Sequence, residues 1–201
     1  VARQWRAAGF SSLHVVDLDA ATGRGDNGPL VAQLVQLGDV QVGGGVRDEA
    51  AIERLLALGA SRVVIGTRGI EDLAWLAAMA AQFPQRLVLA ADVRGRTVLT
   101  RGWTQPTRLD IGALLAQIDA LALAGVLVTA VHHEGQQQGT DLDLFRTAAA
   151  TTRHPLCASG GITTIQDLRS LQHVGCHAAV LGMALYTGRL CAQDLGKEFA
   201  S

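Results

Sequence analysis

The chain has 201 residues, 49% of them hydrophobic and 17% charged, with 23 glycines and a formal net charge of −1. This near-neutral balance argues against a nucleic-acid or membrane-surface role, and the longest nearly charge-free run, Ala120 to Val131, is far too short to span a bilayer. Cys157, Cys176 and Cys191 show no metal-like or redox-like spacing and read as buried small hydrophobes of a protein in a reducing cytoplasm.

In chain order, an amphipathic helical pattern (Val1, Trp5, Ala8, Phe10) precedes a strand from Leu13 to Asp19 and a loop carrying Gly23, Gly25 and Gly28. Pro29 to Leu37 reads as a helix, because proline is tolerated in a first helical turn. The next strand, Val40-Gln41-Val42, runs into Gly43-Gly44-Gly45-Val46-Arg47. Backbone without Cβ atoms can turn its N–H groups onto an anion, and a helix starting there adds the positive end of its dipole. By itself this stretch is either a phosphate cradle or a plain tight turn. A helix from Asp48 to Leu58 capped by Gly59, a strand from Arg62 to Ile65 ending in Gly66-Thr67, and a helix from Glu71 to Gln82 follow. Leu87 to Asp92 is an apolar strand that delivers one carboxylate at its end. A loop of mixed character, Val93 to Arg108, holds Arg94, Arg101, Gly102 and Trp103. The remaining pattern is a helix from Asp110 to Ala124, a strand from Val126 to Val131, a polar loop from His132 to Asp143 and a helix from Leu144 to Thr151. Then come Leu156-Cys157-Ala158-Ser159-Gly160-Gly161-Ile162, a helix from Thr164 to Leu171, a strand from Ala178 to Leu181 ending in Gly182-Met183, and a last helix from Ala192 to Phe199.

The two glycine turns repeat. Gly44 to Gly66 and Gly160 to Gly182 both span 22 residues, and an offset of 116 carries one half of the chain onto the other. Two copies of an anion cradle imply a ligand with two phosphates, or a duplication in which one copy is in use. Strand and helix alternate strictly, with the polar candidates following strands, as in a (β/α)8 TIM barrel, whose active site lies on the rim at the strand ends. The expected fold class is therefore α/β: a single barrel domain over residues 1–201, built of two half-barrel repeats, with seven strands in this chain and the first strand missing.

Several residues carry two readings. Asp92 is a catalytic carboxylate or the partner of Arg94 in an ion pair, and the rim position favours catalysis. His14 is a satisfied core histidine or a group facing a ligand. Trp103 covers the barrel mouth or stacks on a flat heterocycle, and Arg101 is solvated or binds a carboxylate or phosphate. His132-His133-Glu134 suggests a metal, but adjacent histidines on an extended segment point opposite ways and no third ligand has useful spacing, so no metal is expected.

Taken together, His14-Val15-Val16-Asp17, Gln41 to Arg47, Ala91-Asp92-Val93-Arg94-Gly95, Gly102-Trp103, Ala158 to Ile162 and Gly182-Met183-Ala184-Leu185 resemble, in order and spacing, the ProFAR isomerase family of histidine biosynthesis. The resemblance covers essentially the whole chain. It implies a cytoplasmic enzyme, expected as a monomer, that isomerises a bisphosphorylated aminoaldose ribotide to an aminoketose by an Amadori rearrangement, with no cofactor. It implies Asp92 as general acid and a substrate-binding set of His14, Gly44, Gly45, Arg47, Gly66, Thr67, Arg101, Trp103, Thr129, Ser159, Gly160, Gly161, Gly182 and Met183. The family's base is an aspartate near the end of the first strand. The repeat offset puts the counterpart of Asp92 about 24 residues before Val1, so the 201-residue chain is expected to be nearly inactive alone. Two departures stand out: Thr129-Ala130 and Glu134-Gly135 replace a threonine-aspartate and an aspartate-glycine pair, and Met183 stands where the family often has arginine. A dual-substrate isomerase that also takes phosphoribosyl anthranilate, and a non-catalytic phosphosugar-binding barrel, are the alternatives.

Overall fold

Short apolar strands separated by amphipathic helices pair in parallel, because each helix returns the chain to the same end of the sheet. The computed structural model describes residues 1–132 and 139–199. Its strands are β1 (Ser12–Val16), β2 (Asp39–Gly43), β3 (Arg62–Ile65), β4 (Leu87–Arg94), β5 (Thr97–Thr100), β6 (Gln105–Asp110), β7 (Gly125–Ala130), β8 (Leu156–Ser159) and β9 (Ala178–Ala179). Seven of them pair in parallel in the order β1-β2-β3-β4-β7-β8-β9, with helices between, as an incomplete (β/α)8 barrel. Among the described residues β1 and β9 are the two ends of this path and do not pair with each other.

Alternation along the strands separates two faces. Leu13, Val40, Val42, Val63, Ile65, Leu87, Leu89, Val126 and Val128 belong to the large core shared with the helices. Val64, Val88 and Leu127, with Ala90, Cys157 and Val180 packed on them, form a smaller cluster on the barrel-interior face. Asp92, two residues beyond Ala90, therefore shares the interior face.

The elements differ from the sequence reading at four places. Residues 93–108 are not an irregular loop: Gly95, at φ 61°, folds the chain back so that β5 pairs antiparallel with β4, and β6 with β5. This buries Val98 and Leu99, which an open loop would leave in water. The helix expected from Glu71 to Gln82 is two helices, Thr67–Glu71 and Leu73–Gln82, because the Asp72 carboxylate accepts a hydrogen bond from Trp75 N and starts a new helix. Asp17 does the same for a helix at Leu18–Thr22, through Ala20 N. A further short helix, Met183–Tyr186, follows Gly182. Of the cysteines only Cys176 is buried; Cys157 is half-buried and Cys191 is exposed just before the final helix, Ala192–Phe199. No helix among the described residues is long and apolar enough to cross a membrane.

Candidate active site

Parallel pairing brings the C-terminal ends of β2, β3, β4, β7, β8 and β9 to one rim, so both glycine turns and Asp92 share it. Register places Asp92 opposite Thr129 and Thr129 opposite Ser159, a polar row across three neighbouring strands. Burial pushes the Asp92 carboxyl above the usual carboxylate range, while hydrogen bonds with the side chains of Thr129 and Trp103 pull in the other direction. The group is thus held protonated to a higher pH than a solvated aspartate, with donors waiting for its charged form.

Trp103 reaches Asp92 from a tight turn after β5. Arg101, Gly102 and Trp103 have φ of 54°, 62° and 70°, three consecutive left-handed residues of which two carry side chains. That conformation costs about 1 kcal/mol or more for each non-glycine residue. Local bonds hold it in place: Arg101 N donates to Thr67 Oγ1 at 2.9 Å, Arg101 Nε lies 3.0 Å from Glu71 Oε1, and Thr104 Oγ1 donates to Arg101 O at 2.7 Å. Arg101 and Thr67 therefore brace this turn against the β3 end.

The two glycine turns have matching backbones. Gly44 and Gly45 have φ of 105° and 69°; Gly160 and Gly161 have 96° and 75°. A Cβ at Gly44 would sit 2.3 Å from Asp17 O, and one at Gly160 would sit 2.6 Å from Ala130 O. Each turn is thus pressed onto the end of the preceding strand, an approach that only glycine permits. Three residues beyond each pair a helix N-cap follows: Asp48 before Glu49–Leu58 and Thr164 before Ile165–His173. Gly66 (φ −103°, ψ −117°) and Gly182 (φ −117°, ψ −103°) match in the same way, each opening a short helix.

The other sequence candidates divide by their contacts. Arg47 donates to the carbonyls of Ala20 and Ala21 at 3.3 and 3.2 Å and braces the β1 loop. Met183 is exposed beside Gly182. His14 is not a plain core histidine: it lines a cavity of about 670 Å³ between the two ends of the sheet, and its Nδ1 lies 2.9 Å from Gln41 Nε2. Burial pushes its pKa down to about 4. Gln41 was not singled out by the sequence; its signal is strand alternation, which puts positions 14 and 41 on the same interior face. Asp17, the buried carboxylate at the end of β1, accepts from Asn27 N at 2.7 Å, Asn27 Nδ2 at 2.8 Å and Ala20 N at 3.1 Å. Burial raises its pKa, but these hydrogen bonds outweigh it and hold the group below the usual range, so Asp17 is a loop anchor. His132 Nε2 lies 3.1 Å from Asp141 Oδ2, whose other oxygen caps the helix Leu142–Thr151. His133, Glu134 and Gly135 lie outside the described residues.

Residues 1–191 match the profile of a family described as histidine biosynthesis protein. The chain belongs to the histidine biosynthesis protein family. A relative from Gemmatimonas aurantiaca is 54% identical across 100% of this chain and 86% of its own length. One from Myxococcus xanthus is 54% identical over 98% of this chain and 84% of its length, and one from a Nocardioides species 42% over 96% and 81%. All three are named 1-(5-phosphoribosyl)-5-((5-phosphoribosylamino)methylideneamino) imidazole-4-carboxamide isomerase. In this member of the histidine biosynthesis protein family the rim thus holds Asp92, a partly buried carboxylate, between two backbone-matched glycine turns.

Proposed function

We infer that the chain is the isomerase of histidine biosynthesis whose name its relatives carry, acting on that bisphosphorylated aminoaldose ribotide by an Amadori rearrangement. The observation that carries this reading is Asp92, a carboxyl whose pKa burial raises, on the same rim as two matching glycine turns. The turns at Gly44-Gly45 with Gly66, and at Gly160-Gly161 with Gly182, each take one phosphate through backbone N–H groups. Ser159 and Thr67 add hydroxyls beside them. The sugar then lies across the row of Asp92 and Thr129.

In the first step Asp92 gives its proton to the ribose ring oxygen; the ring C–O bond breaks and the nitrogen lone pair forms the C=N bond of an imine. The Asp92 carboxylate left behind is stabilised by the Thr129 and Trp103 hydrogen bonds. In the second step the proton on C2 passes to a second carboxylate, the aspartate near the end of a first strand that the family resemblance implies, giving an enolamine that tautomerises to the aminoketose. Asp17 does not take that proton, since its oxygens are engaged by Asn27 and Ala20. Trp103 packs on the heterocycle, and Arg47 and Arg101 hold the walls of the phosphate pockets. We read the chain as one barrel of two half-barrel repeats, acting as a monomer in the cytoplasm without a cofactor.

The test is turnover of the aminoaldose ribotide by wild type and by Asp92→Asn, each supplied with the aspartate-bearing first strand that the family resemblance implies, with binding of the bisphosphate measured in parallel. Loss of turnover with binding retained is expected. Undiminished turnover by Asp92→Asn would remove Asp92 from the mechanism.

A further inference from the structure

Register places His14 on β1 opposite Gln41 on β2, and both side chains line the cavity between the ends of the sheet. Gln41 Nε2 approaches His14 Nδ1 to 2.9 Å. An amide nitrogen carries hydrogens and no acceptor lone pair, so this contact is a hydrogen bond only when Nδ1 presents its own lone pair; the ring proton then sits on Nε2. We infer that Gln41 is a positioning residue that fixes His14 as the neutral Nε2–H tautomer, so that the ring meets the substrate as a hydrogen-bond donor and not as an acceptor or a cation.

The surroundings favour the same state. Arg62 on β3 is the Cα partner of Gln41 and lines the same cavity; its guanidinium lies 2.5 Å from Asp39 Oδ2 and 3.3 Å from Ser12 Oγ. The Arg62 charge is already matched by Asp39, so a second proton on the His14 ring would stand without a partner there, and burial works against it. The consequence concerns specificity. A fixed N–H donor suits an oxygen with no proton to give, such as a phosphate oxygen or the carbonyl of the aminoketose. The other tautomer would offer a lone pair and select a hydroxyl instead. A neutral ring also leaves proton donation to Asp92.

The bearing on substrate rests on the isomerase reading; the tautomer does not, and it can be measured without substrate. The full chain is labelled with 15N-histidine and long-range 1H–15N correlations are recorded from about pH 6 to pH 8, the range over which an ordinary histidine titrates. The His14 signal is assigned as the one lost in His14→Asn. The wild type is expected to show protonated Nε2 and unprotonated Nδ1 throughout. Gln41→Met, which removes the donor, yields a mixture of tautomers; Gln41→Glu, which offers an acceptor, moves the proton to Nδ1. A wild-type spectrum with protonated Nδ1 overturns the assignment even if neither variant folds. So does a Gln41→Met spectrum identical to the wild type. In turnover, Gln41→Met is expected to raise KM about tenfold, the weight of one lost hydrogen bond, with kcat changed less. A fall in kcat at unchanged KM overturns the donor role.

Discussion

The two halves of the molecule share a backbone and differ in their interior side chains. Gly59 N and Ala60 N bond to Leu56 O and Leu55 O at the end of one helix, and Gly175 N and Cys176 N bond to Gln172 O and Leu171 O at the corresponding point 116 residues on. The glycine turns match in φ, and each is jammed against the strand before it. Inside the barrel the correspondence ends. The last pair between β1 and β2 is Val16 and Gly43, whereas the equivalent pair between β7 and β8 is Thr129 and Ser159, beside Asp92. One pair deeper the polarity reverses: His14 and Gln41 in the first half, Leu127 and Cys157 in the second. Backbone sterics hold the turns to one solution, while the inward side chains were free to divide the chemistry between rim and interior.

The largest expected effect tests that division. Asp92→Asn lowers isomerase turnover by about 10³-fold, the usual weight of a general acid, while Thr129→Val lowers it by about tenfold through the lost hydrogen bond; steady-state kinetics measure both. Equal losses for Val16→Ala, on the equivalent rung of the first half, would break the asymmetry. Next, Gly44→Ala and Gly160→Ala each destabilise the fold by about 3 kcal/mol, because the methyl meets backbone and the φ is unsuited to alanine. A Cβ at Gly66 or Gly182 meets nothing within 4 Å, and alanine there costs under about 1 kcal/mol of stability while weakening phosphate binding. Urea unfolding checks all four, and a large loss at only one of the two jammed turns would show that they are not equivalent.

The buried titrating groups of the two halves give opposite pH slopes. His14 has its pKa lowered from 6.5 to about 4, so the unfolded chain binds the proton that the native ring refuses. Its contribution is present above about pH 6.5 and lost as pH falls toward 4, by up to about 3 kcal/mol. Asp92 has a raised pKa, so the native state binds the proton more tightly, and its contribution is lost as pH rises from the ordinary carboxylate value through the raised one. Thermal unfolding across pH is expected to lose its acid slope in His14→Leu and its opposite slope in Asp92→Asn. The smallest expected effect is at Met183, which is exposed beside Gly182. Met183→Arg tightens bisphosphate binding by about 1 kcal/mol, read by calorimetry.

Much of this frame was legible in the sequence, because its rules are local. Glycine spacing gave the repeat, apolar runs gave the seven parallel strands, and Asp92 stood at the end of the least ambiguous of them. The hairpin of β5 and β6 was not legible: Val93 to Arg108 mixes arginine, threonine and valine with no dominant period, and only the fold shows that Val98 and Leu99 find a core. Asp72 was read inside a helix because its capping bond depends on which helix end needs a partner. Gln41 lies 27 residues from His14 in the chain, and nothing short of strand register brings them together.

The placement of the indoles makes the site self-reporting. Of the chain's three tryptophans, Trp5 meets the edge of Tyr186 at 5.1 Å and Trp75 lies under Arg68 at 5.0 Å, both in contacts remote in sequence from the rim row. Trp103, 42% exposed, is the one that hydrogen-bonds the carboxyl group of Asp92, the proposed general acid. A change in the charge of Asp92 is therefore expected to shift the ultraviolet emission of Trp103, an optical gauge built into the protein and needing no dye.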